Sequence, residues 1–390
     1  MSNRNNSAAT PKQRDLRIDF FRGVALICIF VDHVPGNRFS ELTLQNYGFS
    51  DAAELFVFLA GYSAVLAYAR HFNETSFQAG ATKVAHRLRV LYVWHLGVLV
   101  AGAALLYTAA SLSGEDKYIT HIGFQPVADA PVQAVLTSLA LLMQPNLFNI
   151  LPLYIVLLAL FPFVYLSLRW NMVFTMVLLF LIWGIAGFAG INLPIVQSDG
   201  SIGAWLLNPF AWVLLLASGA ATAMTIGAGK LRYSPTLLAT CVAYLVFALT
   251  YAAPWTALPG LSELRVIDPA WFGTISKTDL SIWRLLHVLA LAYTALILTS
   301  PQAEWLRLPI VRAVSMLGRH SLEVFVLGIL LSLTGWIVFS ELGDSLPVQI
   351  AVNAFGIIAM GVAAWVHSSD GEMLRGVRRQ TLPSFPLAER

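Results

Sequence analysis

Stretches of about 20 mostly apolar residues recur from one end of this 390-residue chain to the other. That is the length a helix needs to cross the hydrocarbon core of a bilayer. In lipid every backbone N–H and C=O must be satisfied within the segment that carries it, so such stretches are confined to helices. The chain reads as an all-α integral membrane protein of about ten transmembrane helices, at about 18–36, 51–69, 90–112, 146–168, 172–193, 208–227, 234–255, 281–300, 313–339 and 348–367. Charged residues make up only 12% against 57% hydrophobic, about half the charged share of a soluble domain. That balance excludes a soluble enzyme and gives no sign of a nucleic-acid partner. The spans use up the length, leaving a tail over 1–17, one membrane domain over 18–367 and a second tail over 368–390.

An even number of spans puts both termini on one side, and the basic residues choose which. With the N-terminus in the cytoplasm, 17 of the 24 Lys and Arg fall in cytoplasmic segments. Arg38, Lys117, Arg265 and Lys277 fall outside, and Arg22, Arg284 and Arg319 lie in or at the ends of spans. Both termini are therefore expected in the cytoplasm, with the chain multi-pass in the membrane. The first apolar segment follows a basic tail as a signal sequence does, but Asp32, His33 and Pro35 stand where small cleavage-site residues belong, so it reads as an uncleaved span. Cys28 and Cys241 fall in apolar segments without ligand spacing, and no metal site is expected. The long outer loops 113–145 and 256–280 are of the kind that covers a site; 131–143 reads as an interfacial or re-entrant helix.

The first span carries Asp19, Arg22, Asp32 and His33. On insertion scales each ion at the centre of a membrane helix costs roughly 2.5–3.5 kcal/mol, and such residues face a cavity or the bundle interior. Eleven residues bring His33 within about 20° of the Arg22 direction, about 16 Å further along the axis, and Asp19 lies one turn before Arg22. The stripe places an anion-holding arginine near the cytoplasm and a base towards the periplasm, histidine being the side chain suited to proton transfer near neutral pH. Asp51 and Glu54 open the second span at i and i+3. Asp32, Asp51 or Glu54 is expected to orient the His33 imidazole, while helix capping also accounts for Asp51 and Glu54. Lys277, Asp279, Arg284 and His287 mark the outer start of the eighth span. Asp279 can cap that helix, and Arg284 and His287 face inward, either holding a carboxylate or joining an ion-pair network with the acidic residues. Gly61 and Ser63 fit small-residue helix packing.

Arg22-(ten residues)-His33 resembles the hallmark of the membrane acyltransferases of acyltransferase family 3, and Asp19-Phe-Phe-Arg22-Gly resembles the related transmembrane acetyltransferases. The stretch from Asn46 to Ser63 is similar to the OpgC family, the succinyl-modifying acyltransferases of osmoregulated periplasmic glucans. Asn208-Pro-Phe-Ala-Trp212, Ser276-Lys277-Thr-Asp279-Leu-Ser-Ile-Trp-Arg284-Leu-Leu-His287 and Leu317-Gly-Arg-His320-Ser-Leu-Glu323-Val-Phe325 extend the resemblance in order over nearly the whole chain. The resemblance implies a membrane O-succinyltransferase. Its donor would be succinyl-CoA, a substrate and not a resident cofactor, and its acceptor a glucose hydroxyl of a periplasmic glucan. It also implies that Arg22, with Asp19 beside it, serves the donor, that His33 with a carboxylate from Asp32, Asp51 or Glu54 is catalytic, and that Lys277, Asp279, Arg284 and His287 bind substrate. Another acyl-CoA such as acetyl-CoA, another glycan, or a transporter that uses the same charges as an ion path are the alternatives; no inverted repeat favours the transporter.

Overall fold

The computed structural model describes residues 15–252 and 275–381. The N-terminal tail to residue 14, the last nine residues and most of the 256–280 loop, with Arg265, lie outside the described residues.

The described chain is almost wholly helical. The helices are α1 (Leu16–Asp32), α2 (Ala52–Glu74), α3 (Phe77–Ser113), the short α4 (Lys117–Thr120), α5 (Gln125–Asp129) and α6 (Pro131–Leu139), then α7 (Ile150–Trp170) and α8 (Met172–Ala189). A small antiparallel hairpin of β1 (Pro194–Val196) and β2 (Ile202–Ala204) follows. The chain continues through α9 (Pro209–Gly227), α10 (Pro235–Ala252), α11 (Ile282–Leu298), α12 (Pro309–Arg319), α13 (Ser321–Leu342) and α14 (Leu346–Thr381). Among the described residues eight helices, α2, α3, α7, α8, α9, α10, α13 and α14, are long and apolar enough to cross a bilayer. The other two expected spans coincide with α1 and α11, each of 17 residues.

Three boundaries differ from the sequence reading. The span expected over 313–339 is two helices, divided at His320, whose backbone sits at φ −108° and ψ 42°. The first part, α12, has 11 residues, about 16 Å of helix, and cannot cross a bilayer. The span expected from residue 90 begins at Phe77, where Ser76 caps α3 by accepting from Ala79 N at 3.1 Å. At 37 residues, or about 56 Å, α3 outruns the hydrocarbon core and carries Lys83, Arg87 and Arg89 beyond it. The first span ends at Asp32 because Pro35 cannot extend a helix and Gly36, at φ 81°, turns the chain. Of the stretch 131–143, expected as an interfacial or re-entrant helix, Pro131–Leu139 is helical as α6, with Val132, Val135 and Leu136 exposed.

Two pairs of helices approach to backbone contact. A Cβ on Gly61 of α2 would lie 1.9 Å from Leu216 O of α9, and one on Gly219 of α9 would lie 2.0 Å from Phe58 O of α2. Likewise α12 runs antiparallel along α1, with Gly318 against Asp19 O and Gly23 against Val314 O. Without a hydrophobic force between helices in lipid, this close packing is what holds them. Gly219→Val has no room to relax, since the facing atom is backbone. It is expected to cost about 3 kcal/mol or more through overpacking, read as a lowered unfolding temperature in detergent; an unshifted transition would contradict the α2–α9 interface. Ser63, by contrast, lines a cavity described below. Large apolar side chains stand out on the periphery, with Trp170 74% and Phe188 97% exposed, as a lipid-facing surface requires.

Alternation of the helices collects the C-terminus of α1 and the N-termini of α2, α9 and α11 at one end of the bundle. The N-terminus of α1, the C-termini of α2, α9 and α11 and the α12–α13 break lie at the other, basic end.

Candidate functional site

His33 is the C-cap of α1, half-buried at the first of these ends. Its Nδ1 lies 2.6 Å from Ile29 O, one turn back in the same helix. A carbonyl oxygen only accepts, so Nδ1 carries the ring proton and Nε2 keeps its lone pair. The orientation that the sequence assigned to a carboxylate is thus supplied by the backbone of α1.

Each of the three candidate carboxylates is bonded elsewhere. Asp32 accepts from Thr43 Oγ1 at 2.5 Å and Gln45 Nε2 at 3.0 Å, both in the loop after α1. Asp51 caps α2 through Oδ1, which accepts from Ala53 N at 2.7 Å. Its Oδ2 receives Lys277 Nζ at 2.6 Å and an Arg284 guanidinium nitrogen at 3.1 Å. Glu54 closes the capping box by accepting from Asp51 N at 2.9 Å, and its other oxygen lies 2.6 Å from Arg284 Nε. Capping and ion pairing therefore coexist in one buried cluster. This cluster, at the N-terminus of α2, lies at the same end of the bundle as His33.

Glu54 is fully buried, and the Arg284 side chain is 12% exposed. Such a pair is stable only where hydrogen bonds complete it, which the capping box does. His287 is buried as well. Its Nδ1 accepts from Ser50 N at 3.3 Å and lies 2.6 Å from Ser50 Oγ, which therefore donates. Gly48 crosses the ring so closely that a Cβ there would stand 2.0 Å from Nε2. Phe49 between them is held among Tyr244, Tyr251 and Trp283. Arg284 is thus ion-paired with Asp51 and Glu54, the ion-pair alternative of the sequence reading, whereas His287 is hydrogen-bonded to Ser50. Of Lys277, Arg284 and His287, the lysine has the open surface, with its side chain 41% exposed.

Two indoles fix the backbone around Lys277, and an amide holds the Asp279 side chain. Trp212 Nε1 donates to Lys277 O and Thr278 O at 3.2 and 3.1 Å, and Trp183 Nε1 to Asp279 O and Leu280 O at 3.0 and 2.9 Å. Asn208, the N-cap of α9, donates from Nδ2 to Asp279 Oδ1 at 3.0 Å. Asp279 does not cap the next helix; Ser281 takes that position. Leu280, at φ 48°, turns the chain between them, which leaves the Asp279 carboxylate with Asn208. Thr43, Gln45, Ser50 and Trp183 are parts of this end that the sequence reading did not single out. Each flanks a helix start or faces lipid in the linear pattern, where no periodicity marks it.

The basic end holds the other half of the stripe. Asp19 is buried, with Arg319 Nε 3.8 Å from its carboxylate. Arg17 ties the end of α11 to α1 by donating to Thr299 O at 2.7 Å. Between α1, α2, α9 and the segment 301–307 lies a cavity of about 760 Å³, lined by Asp19, Arg22, Tyr62, Ser63, Gln302 and Arg307 among others. Arg22 donates to Leu59 O at 3.4 Å. It also borders a second cavity of about 50 Å³, shared with Arg87, Leu91, Tyr154 and Phe325. Arg22 therefore stands between the large cavity and the bundle interior, about 16 Å of helix from His33.

Among the described residues no group of three or more His, Cys, Asp and Glu comes together as a metal site. The sequence matches, over residues 14–371, a family model described as OpgC protein. No curated protein and no solved structure matches the chain.

Proposed function

Because this chain belongs to the OpgC protein family, we propose that it is a membrane O-acyltransferase moving a succinyl group from cytoplasmic succinyl-CoA to glucose hydroxyls of a periplasmic glucan. The observation that carries this reading is the polarity of α1. One helix borders a roomy, arginine-lined cavity at its basic end and holds an imidazole with a free Nε2 at its other end. The positive-inside distribution supports a cytoplasmic basic end, where a phosphate-bearing donor arrives.

Arg22 suits an anionic head group, since a guanidinium pairs with phosphate through two parallel bonds. Asp19 stands one turn below it and is held by Arg319. At the opposite end His33 Nε2 takes the proton of the glucose hydroxyl as its oxygen bonds to the thioester carbonyl carbon. The tetrahedral species collapses with cleavage of the C–S bond, and the departing sulfur takes the proton from Nε2, leaving an ester and CoA thiol. Direct attack needs only this one base; an acyl-histidine route would require the same nitrogen to be nucleophile and base in turn. Asp32 and the Asp51–Glu54–Arg284 cluster shape the surroundings of the base. Asp279 positions the loop that carries Lys277, and His287 anchors the loop of Ser50. Lys277 is the cation placed to receive the free carboxylate of a succinyl group.

The test is label transfer from succinyl-CoA to glucan by purified protein in detergent, with acetyl-CoA as the competing donor. Ester formation on glucan is expected, with succinyl preferred. Lys277→Ala is expected to lower that preference about tenfold, since a hydrogen bond to a charged group contributes about 1.5–3 kcal/mol and the side chain is only partly buried. No transfer from any acyl-CoA would overturn the enzyme reading. An unchanged preference in Lys277→Ala would remove the carboxylate from Lys277.

A further inference from the structure

His95 lies in the middle of α3, 0% exposed, and neither of its ring nitrogens has a hydrogen-bond partner among the described residues. A buried polar group left unpaired is costly, and hydrocarbon offers no water in compensation. Leucine would fill the same place without that cost. Such a group calls for a partner beyond the described residues.

The position of His95 indicates which partner. Helical side chains lean toward the N-terminus and cover the preceding turn, so His95 covers the turn of Leu91. Leu91 lines the 50 Å³ cavity that Arg22 borders. The depth follows from the packing of α13. Ser332 donates to Phe30 O of α1 at 3.0 Å, and the next residue, Leu333, lies against Gly102 of α3. Gly102 is therefore level with Phe30, and His95 sits about 10 Å back towards the basic end. That depth is the level of Gly23, just past Arg22 on the way to His33. The cavity that Leu91 and Arg22 line, one turn before His95 on α3, has room for a few waters or one amide-sized group.

We infer that His95 is a donor-binding residue, hydrogen-bonding an amide in the linear arm of acyl-coenzyme A as the arm passes from the Arg22 cavity towards His33. The inference rests on the acyl-CoA reading above. A neutral imidazole offers one donor and one acceptor, and an amide offers the complementary pair. An alkyl chain would leave both nitrogens as they are.

Calorimetric titration of the purified full-length protein separates the possibilities with two probes. CoA has head group and arm; adenosine 3′,5′-bisphosphate has phosphates and no amide arm. His95→Leu is expected to weaken CoA about tenfold, the effect of losing about 1.4 kcal/mol of hydrogen bonding, and to leave the bisphosphate unchanged. His95→Gln, which keeps a donor and an acceptor, is expected to retain most of the CoA affinity. The unfolding temperature of His95→Leu is expected to equal or exceed that of the wild type. Equal CoA binding by wild type and His95→Leu would overturn the inference while leaving the acyl-CoA reading intact. So would a parallel loss for both probes with a lowered unfolding temperature. His95→Phe gives a second variant of similar shape; failure of both variants to fold would make His95 structural and also overturn it. A wild type that binds neither probe would instead overturn the donor reading itself.

Discussion

His33→Ala is expected to lower kcat for acyl transfer by about 10²–10⁴, the range for removing a positioned general base, while CoA binding stays at the wild-type level. The two effects separate because the imidazole and the Arg22 cavity are about 16 Å apart on one helix. The fold should survive the change, since the only hydrogen bond described for the ring goes to Ile29 O of its own helix. Single-turnover transfer and equilibrium CoA binding on the same preparation give both numbers. A variant that keeps a tenth or more of kcat would sink His33 as the base. Loss of CoA binding with loss of rate would place the donor head group at the wrong end of the bundle.

Arg284→Ala is expected to destabilise the protein by about 3–5 kcal/mol, the cost of removing one partner from a buried ion pair. Glu54 would remain fully buried with its carboxylate facing the vacated space, whereas Asp51 would keep Lys277 at 2.6 Å. The second variant isolates the cause. Adding Glu54→Gln removes the stranded charge and keeps the bond from Asp51 N, so the double variant should recover most of the lost stability. Unfolding temperatures in one detergent at one heating rate are the comparison to make. An Arg284→Ala protein that unfolds with the wild type would refute the structural role. A double variant no better than the single would assign the loss to packing of the guanidinium instead of the unpaired carboxylate.

Much of this arrangement can be read along the chain. Among the described residues, nine of the ten apolar windows fall on single helices, because in lipid an apolar stretch of sufficient length has no alternative to helix. The 313–339 window is the exception. Its apolar pattern runs on across His320, and only the packing of Gly318 against Asp19 O shows that α12 belongs to α1 and not to α13. The sharing of one helix by Asp19, Arg22 and His33 is equally local, a matter of rise and angle per residue. The partner of His33 is not. Three acidic residues stood within reach on the sequence, and a carbonyl of the same helix holds the ring because α1 ends at Asp32 and leaves His33 at the cap.

Arg284 and His287 show the same division. Their places in an apolar register point them inward. Whether an inward cation holds a ligand or a neighbour depends on residues more than 200 positions away, Glu54, Asp51 and Ser50. The blocks around Asn208 and Ser276 are likewise separate in the chain and joined in space through Asn208, Trp183 and Trp212.

The sequence by itself determined the membrane class, the two-ended stripe on α1 and the family, since these rest on hydrophobicity, helical spacing and ordered motifs that need no partner. The tertiary structure alone decided which charges are paired and that Lys277, though paired with Asp51, keeps exposed surface. It also decided that His95 is buried without a hydrogen bond among the described residues. Pairing in a medium of low dielectric is fixed by distances of a few ångströms between helices, and no spacing along one helix contains them.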